Sequence, residues 1–449
     1  MSNQATLRIT REINSIQKNH DLSIAVACNE KDVRDVKALI VGPADTPYEF
    51  GFFEFAVRFP KAYPDSPPSV TATTTNGGRC RFNPNIYSQG KVCLSILGTW
   101  RGERGEQWSS AQGLESILIS IQSLMSSNPY ENEPGFEHAN SSEDKKNQKA
   151  YIAKIRHESL KVSIVQRLET YLGIYSDGTL ADPPPLEPED PDLDVDVEPE
   201  EENAMFEPFK DLCKRRFLWY FPSYMKAIAE VESDHHQGEK FVAMPFESPG
   251  NMMPGTFDYS SLKKRLVLIR QVIDMETARW AEEGAHLVKR ESSFAASLAR
   301  QRCLLVETYK TRHNLTLDID LHTPDNPFVW ILTYYGRPMT QLDGGIFRIR
   351  MSISPRHPDE QPRVVFETKL FHHRIGTDGV LCYFPKKLDE LGSHVDAIIE
   401  AIEEENPPYD PRTLVNLEAS RLFWGADGQG KKTYNRMLRR SVQASLEGE

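Results

Sequence analysis

Asn85 and Cys93 stand eight residues apart in "NPNIYSQGKVCLSILGTW" (83–100). A cysteine thiol can accept an acyl group and surrender it to an amine, provided the sulfur is held in place and can be reached. Val92, Leu94 and Ile96 would anchor the segment on a core and fix that sulfur. No histidine lies beside Cys93, so the paired imidazole that a cysteine peptidase needs, both to form thiolate and to protonate the departing amine, is missing. Taken alone, a cysteine in an apolar run is more often a packed small hydrophobe than a nucleophile.

The positioning elements read as a mixed α and β plan. "TLRITREINSIQK" (6–18) carries Leu7, Ile9, Ile13 and Ile16 at roughly helical spacing, with Arg8, Arg11 and Lys18 outward. "GFFEFAVRFP" alternates Phe53, Phe55, Val57 and Phe59 against Glu54, Ala56 and Arg58, the pattern of a half-buried antiparallel strand. The proline-rich "FPKAYPDSPPSV" must be an ordered irregular connection. Beyond Cys93, "SSAQGLESILISIQSLM" repeats Leu114, Ile117, Leu118, Ile121, Leu124 and Met125 at helical spacing behind a serine N-cap candidate. "AYIAKIRHESLKVSIVQRLETYL" predicts one long helix or two joined end to end. The order of helix, meander, loop, cysteine segment and helices is α+β.

The chain has 449 residues, enough for two or three units. Its hydrophobic content is 39% and no apolar stretch reaches the ~18 residues a membrane span requires, so no membrane is expected as a partner. The start lacks the layout of a secretory signal, which predicts a cytoplasmic and/or nuclear protein whose six cysteines are free thiols. The cysteines form no CxxC pairs, and His235-His236 and His372-His373 lie far from a second ligand pair, so no metal site and no cofactor are expected. The net charge of −12 argues against nucleic acid. Residues 182–202 hold eleven acidic residues, six prolines and no lysine or arginine, nearly the whole imbalance, and read as an extended self-repelling linker.

"GPADTPYEFGFFEFAVRFPKAYPDSPPSV", "NPNIYSQGKVCLSILGTW" and "WSSAQGLESILISIQSLMSSNPYENEPGFEH" follow one another in the order and spacing of the catalytic core of ubiquitin-conjugating enzymes. Residues 5–172 resemble that family. The glycine-proline turn, Tyr-Pro-x-x-Pro-Pro, x-Pro-Asn with a cysteine eight later, and Trp-Ser-x-Ala carry the resemblance. The inserted "GTWRGERGEQW" and the "NPYENEPGFE" tail are most similar to the Z-type enzymes and to the conjugating domain of the giant BIR-repeat type, and residues 205–271 resemble the carboxy-terminal extension of the Z-type enzymes. The resemblance implies that Cys93 carries ubiquitin, or a ubiquitin-like protein, as a thioester. It implies that Asn85 stabilises the oxyanion formed when lysine attacks, although an asparagine in a Pro-Asn turn equally holds a loop. A carboxylate before a proline often orients the lysine in this family; the matching positions are Glu133 before Pro134 and Asp410 before Pro411, with Glu131 an alternative and a solvated glutamate the bland reading. Asn83 replaces the family's histidine.

Shifting the first unit by 294 positions lays Gly42 on Gly336, Thr46 on Thr340, Gly51 on Gly345, Phe53 on Phe347, Pro68 on Pro362 and Val70 on Val364. With a few residues removed, Cys93 falls on Cys382, again eight residues after its partner, here Arg374. We therefore expect a duplicated fold: two conjugating-type domains, each an antiparallel meander flanked by an N-terminal helix and C-terminal helices. The expected division is a catalytic core at 1–175, an acidic proline-rich linker at 176–203, a helical extension at 204–285, and a divergent second domain at 286–449. Cys382 and Asp410 are its candidate catalytic residues, and Arg374 points to a decayed or specialised site.

By the resemblance, Arg8, Arg11 and Lys18 would meet the activating enzyme, and ordinary solvated charge is the alternative. Ring-type ligases grip a loop position that here is Asp65, together with Ser110; a charge where an apolar anchor is expected restricts the ligases that fit, or removes the need for one. The expected function is transfer of the modifier from Cys93 to a substrate lysine. The competing one is a non-catalytic ubiquitin-binding scaffold, above all for the C-terminal domain. A cysteine hydrolase lacks its histidine.

Overall fold

A computed structural model describes residues 2–19, 21–29, 31–102, 105–182, 206–232, 234–312, 316–425 and 428–447. Most of the acidic segment expected at 176–203 lies outside the described residues. The described chain packs as two compact units. The first is built on 2–180, 206–213 and 227–267, the second on 214–226 and 268–447.

In the first unit, α1 (Ser2–Lys18) precedes an antiparallel meander of β1 (Ile24–Asn29), β2 (Asp32–Val41), β3 (Phe52–Arg58) and β4 (Ser69–Ala72), in that spatial order. α1 buries Ala5, Ile9, Ile13 and Ile16. Leu7, expected on that stripe, is 52% exposed, because it sits two residues from Ala5 and Ile9 and so falls on the other side of the helix. Phe53, Phe55 and Val57 enter the core as their alternation requires. The opposite face is wet only at its end, where Arg58 is exposed. Glu54 on that face is buried, taking Arg167 at 3.1 Å and Lys37 at 3.4 Å.

α2 (Leu114–Leu124) buries Leu114, Ile117, Leu118 and Ile121. Its N-cap is Gly113 rather than a serine, and no side chain of that residue caps it. The cap comes from another helix: Glu12 accepts the Leu114 amide at 2.9 Å, as well as the Tyr63 hydroxyl and Arg8. α3 (Ser142–Glu158), a π-helical stretch (Ser159–Gln166) and α4 (Arg167–Leu172) form one unbroken helical run, with a capping box at Ser141 and Asp144. Residues 234–258 do not form helix. They send Met244 and Met253 into the same core as β3 and α2, and Phe246 against Tyr130, Phe136 and Tyr151. A buried ion pair, Lys154 to Glu247 at 2.7 Å, fastens this segment to α3.

Helices α5 (Lys210–Val231) and α6 (Tyr259–Lys289) each contribute residues to both units. The second unit continues with α7 (Ser293–Lys310), the antiparallel meander β5 (Thr316–Leu321), β6 (Val329–Tyr335), β7 (Ile346–Ser352) and β8 (Arg363–Phe366), then α8 (Leu391–Glu403), α9 (Leu417–Trp424) and α10 (Gly428–Ala444). Phe347, Ile349, Met351 and Ile353 are fully buried, as their alternation predicts. The paired glycines explain themselves. A Cβ on Gly42 would overlap the carbonyl oxygen of Tyr48, and one on Gly336 that of Leu342, the position 294 residues on. Each glycine also closes the hairpin to the next, Gly42 to Gly51 at 2.8 Å and Gly336 to Gly345 at 2.9 Å.

Candidate active site

The cysteine segment is a narrow turn closed at its base. The Cys93 amide donates to the Asn85 carbonyl at 2.8 Å, Ile86 bridges Val92, and the Tyr87 amide donates to the Lys91 carbonyl at 2.9 Å. Asn85 adds a side-chain bond, its Nδ2 donating to the Cys93 carbonyl at 3.2 Å. Behind it, Asn83 is wholly buried. Its Oδ1 accepts the Asn85 amide at 2.9 Å, while its Nδ2 donates to the Leu124 carbonyl at 2.8 Å and the Tyr48 hydroxyl at 3.1 Å. Asn132 reaches the same Leu124 carbonyl at 2.9 Å. A carboxamide carries both a donor and an acceptor, so Asn83 joins three parts of the fold that no apolar residue could join.

Cys93 is 3% exposed, less than the open thiol expected from its chemistry. Burial, and the neighbouring Cys93 thiol after it, push the Tyr87 phenol above its ordinary range. The Tyr87 ring in turn lies under the Arg81 guanidinium, 4.7 Å from its centre, with Lys91 at 5.8 Å. Arg81 Nη2 donates to the Pro84 carbonyl at 2.6 Å and to Glu133 at 3.1 Å. Burial raises the Glu133 carboxyl above the usual carboxylate range, and Arg81 opposes that rise. Glu131 is exposed and takes Asn128 at 2.8 Å. The structure thus brings Cys93, Asn85 and Glu133 into one neighbourhood through Arg81 and Tyr87. Neither of those linkers stood out in the sequence, although "RCRFNPNIY" holds both within four residues of Asn85.

The second cysteine has the same backbone frame and different surroundings. The Cys382 amide donates to the Arg374 carbonyl at 2.9 Å and Ile375 bridges Leu381, matching the first turn. Cys382 is fully buried, and burial pushes its thiol up to about 12. Trp219 donates to the Leu381 carbonyl at 3.1 Å and packs edge-on against Phe384, with Arg216 over its ring. Arg374 is paired with Glu404 at 2.7 Å. Asp410 caps the short turn Pro411–Thr413 and takes Arg412 at 2.9 Å. Burial would raise its carboxyl, and Arg412 holds it below the usual range. Both polar candidates of this site are therefore engaged.

Of the three cations on α1, Arg11 and Lys18 are exposed. Arg8 is drawn inward, to Glu12 at 2.8 Å and the Gln112 carbonyl at 2.7 Å. Asp65 and Ser110 are exposed on two loops joined by Trp108, whose indole donates to the Pro64 carbonyl at 2.8 Å. Among the described residues, no group of three His, Cys, Asp or Glu side chains is placed to hold a metal, and no helix is long and apolar enough to cross a membrane.

The family model described as ubiquitin-conjugating enzyme matches residues 8–159 and 304–385. The chain is 41% identical over 270 residues to the "Ubiquitin-conjugating enzyme E2 Z" of Xenopus tropicalis, covering 60% of this chain and 72% of that one. It is 40% identical to the protein of the same description from Homo sapiens, of which the match spans 64%. A third relative, the "Dual E2 ubiquitin-conjugating enzyme/E3 ubiquitin-protein ligase BIRC6" of Homo sapiens, is 42% identical over 157 residues, 34% of this chain and 3% of that one.

Proposed function

The chain belongs to the ubiquitin-conjugating enzyme family, and we propose that Cys93 accepts the carboxyl terminus of ubiquitin or a ubiquitin-like protein as a thioester and passes it to a substrate lysine. Loading exchanges one thioester for another: the Cys93 sulfur bonds the acyl carbon, the bond to the activating enzyme's sulfur breaks, and that sulfur takes up the proton. Asn85 serves twice in this reading. Its backbone holds the cysteine turn, and its carboxamide, bonded to the Cys93 carbonyl in the free protein, donates to the oxyanion once the acyl group is in place. Glu133 orients the lysine and accepts a proton from it. The observation that carries the reading is the pair of hydrogen bonds between Asn85 and Cys93. Arg11 and Lys18 face the activating enzyme, and the loops bearing Asp65 and Ser110 face a restricted set of ligases.

The test is to incubate the protein with activating enzyme, ATP and ubiquitin and to resolve the products without reductant. The account expects an adduct removed by thiol reagents in the wild type and in Cys382→Ala, and none in Cys93→Ala. An adduct that survives Cys93→Ala refutes it.

A second reading applies to the C-terminal unit alone. We infer that it is a divergent copy of the conjugating fold kept for binding rather than transfer. Its thiol is buried and held protonated, and Trp219 occupies the carbonyl of the adjacent Leu381. Native alkylation tests this: Cys382 should stay unmodified by a maleimide that labels it fully in denaturant, and equal labelling in both states would contradict it.

A further inference from the structure

Arg81 is 6% exposed and carries more than one contact should need. Its Nη2 joins Glu133 to the Pro84 carbonyl in the turn whose next residue, Asn85, bonds Cys93, and its planar face lies 4.7 Å from the centre of the Tyr87 ring. Its Nε and Nη1 are buried and make no hydrogen bond. A guanidinium with buried donors left unpaired is destabilising, and a hydrocarbon of similar length would fill the space without that cost. Stability therefore does not account for an arginine here, whereas its position between the three groups does.

We propose that Arg81 is a positioning residue of the transfer step, which aims the Glu133 carboxylate and the Tyr87 ring at the Cys93 thioester. The proposal rests on the reading of Cys93 as the acyl carrier. In that step the lysine nitrogen loses two protons, one as ammonium becomes amine and one after the C–N bond forms. The C–S bond breaks, its electron pair stays on the Cys93 sulfur, and the sulfur takes up one of those protons. Glu133 receives the other and passes it to solvent. Arg81 touches neither lysine nor acyl carbon and acts through Glu133 and Tyr87. Its cation opposes the rise that burial imposes on the Glu133 carboxyl, and the Tyr87 phenol is a further titratable group near that carboxyl.

The experiment loads full-length protein with ubiquitin, quenches the activating enzyme, and follows discharge to free lysine from pH 6 to 9. Arg81→Met, Arg81→Lys, Glu133→Gln and the double variant Arg81→Met with Glu133→Gln are compared. Loading is expected within about twofold of wild type throughout, while discharge by Arg81→Met falls roughly tenfold, the scale of one charge-assisted contact. Its pH midpoint should move upward, Arg81→Lys should recover part of the rate, and the double variant should be no slower than Glu133→Gln. Discharge by Arg81→Met at the wild-type rate across the pH range would overturn the proposal. So would an equal loss in loading and discharge that follows a lowered melting temperature. If Arg81→Met does not fold, Arg81→Lys decides by the same criteria, since it keeps the charge and removes the fork. A wild-type protein that forms no thioester on Cys93 would instead bring down the acyl-carrier reading, and the proposal with it.

Discussion

Asn85 and Cys93 hold each other across the turn by two hydrogen bonds, the Cys93 amide to the Asn85 carbonyl at 2.8 Å and the Asn85 carboxamide to the Cys93 carbonyl at 3.2 Å. The sulfur is thereby fixed by backbone and side chain of one residue, and that residue is fixed in turn by the buried Asn83.

Asn83→Ala should loosen this frame. It strands the Asn85 amide and removes a partner of the Tyr48 hydroxyl inside the core, a loss of about 2 kcal/mol by the usual cost of unmade buried bonds. Urea unfolding measures the stability change, and the rate of thioester discharge should fall with it; unchanged stability would contradict the role given to Asn83.

The 234–258 segment is predicted to be part of the first unit's stability. Lys154 and Glu247 are almost completely buried, so Glu247→Ala leaves an uncompensated cation and should cost about 3 kcal/mol or more, whereas Lys154→Met with Glu247→Leu should cost much less. Thermal melting of both variants checks this. Equal effects would show that the charge pair is not the reason for the loss.

The second unit should weaken in mild acid. Burial lowers the imidazole of His372 to about 3 and of His394 to about 4, and lowers that of His373 as well. The unfolded chain binds those protons near pH 6.5 while the folded chain refuses them, so stability is complete above 6.5 and falls as pH drops toward 4. At pH 5 the loss is about 2 kcal/mol for each such histidine. Hydrogen exchange resolves the two sheets: between pH 7 and 5, β6 should lose far more protection than β3.

Much of this arrangement was legible in the sequence, for a physical reason. The apolar periods of α2 and β3, and the alternation from Phe347 to Ile353, are local patterns, and burial follows from them directly. The glycine pairs were legible because a backbone that approaches a carbonyl closely admits no Cβ, and that demand repeats wherever the hairpin repeats. What was not legible depends on partners distant in the chain. Glu12 caps α2 from about a hundred residues away, and Met244 and Met253 fill a core built mainly before residue 165. Arg167 buries Glu54 on a strand face that alternation alone marks as wet.

The cations of α1 should separate by role. Arg8 is engaged with Glu12 and the Gln112 carbonyl, so Arg8→Ala should lower the melting temperature by a few degrees, on the order of 1 kcal/mol for lost part-buried bonds. Arg11→Glu with Lys18→Glu should leave melting unchanged and slow loading several-fold at low salt, with the difference shrinking as salt is raised. Loading that ignores both charge reversals would remove α1 from the activating-enzyme surface.

The central claim is tested most directly by intact-mass and peptide mass spectrometry of the protein after reaction with activating enzyme, ATP and ubiquitin, under acidic conditions that preserve thioesters. The account predicts one added ubiquitin, mapped to the peptide containing Cys93 and released by hydroxylamine. Ubiquitin found on the peptide containing Cys382, or no labile adduct at all, would contradict it.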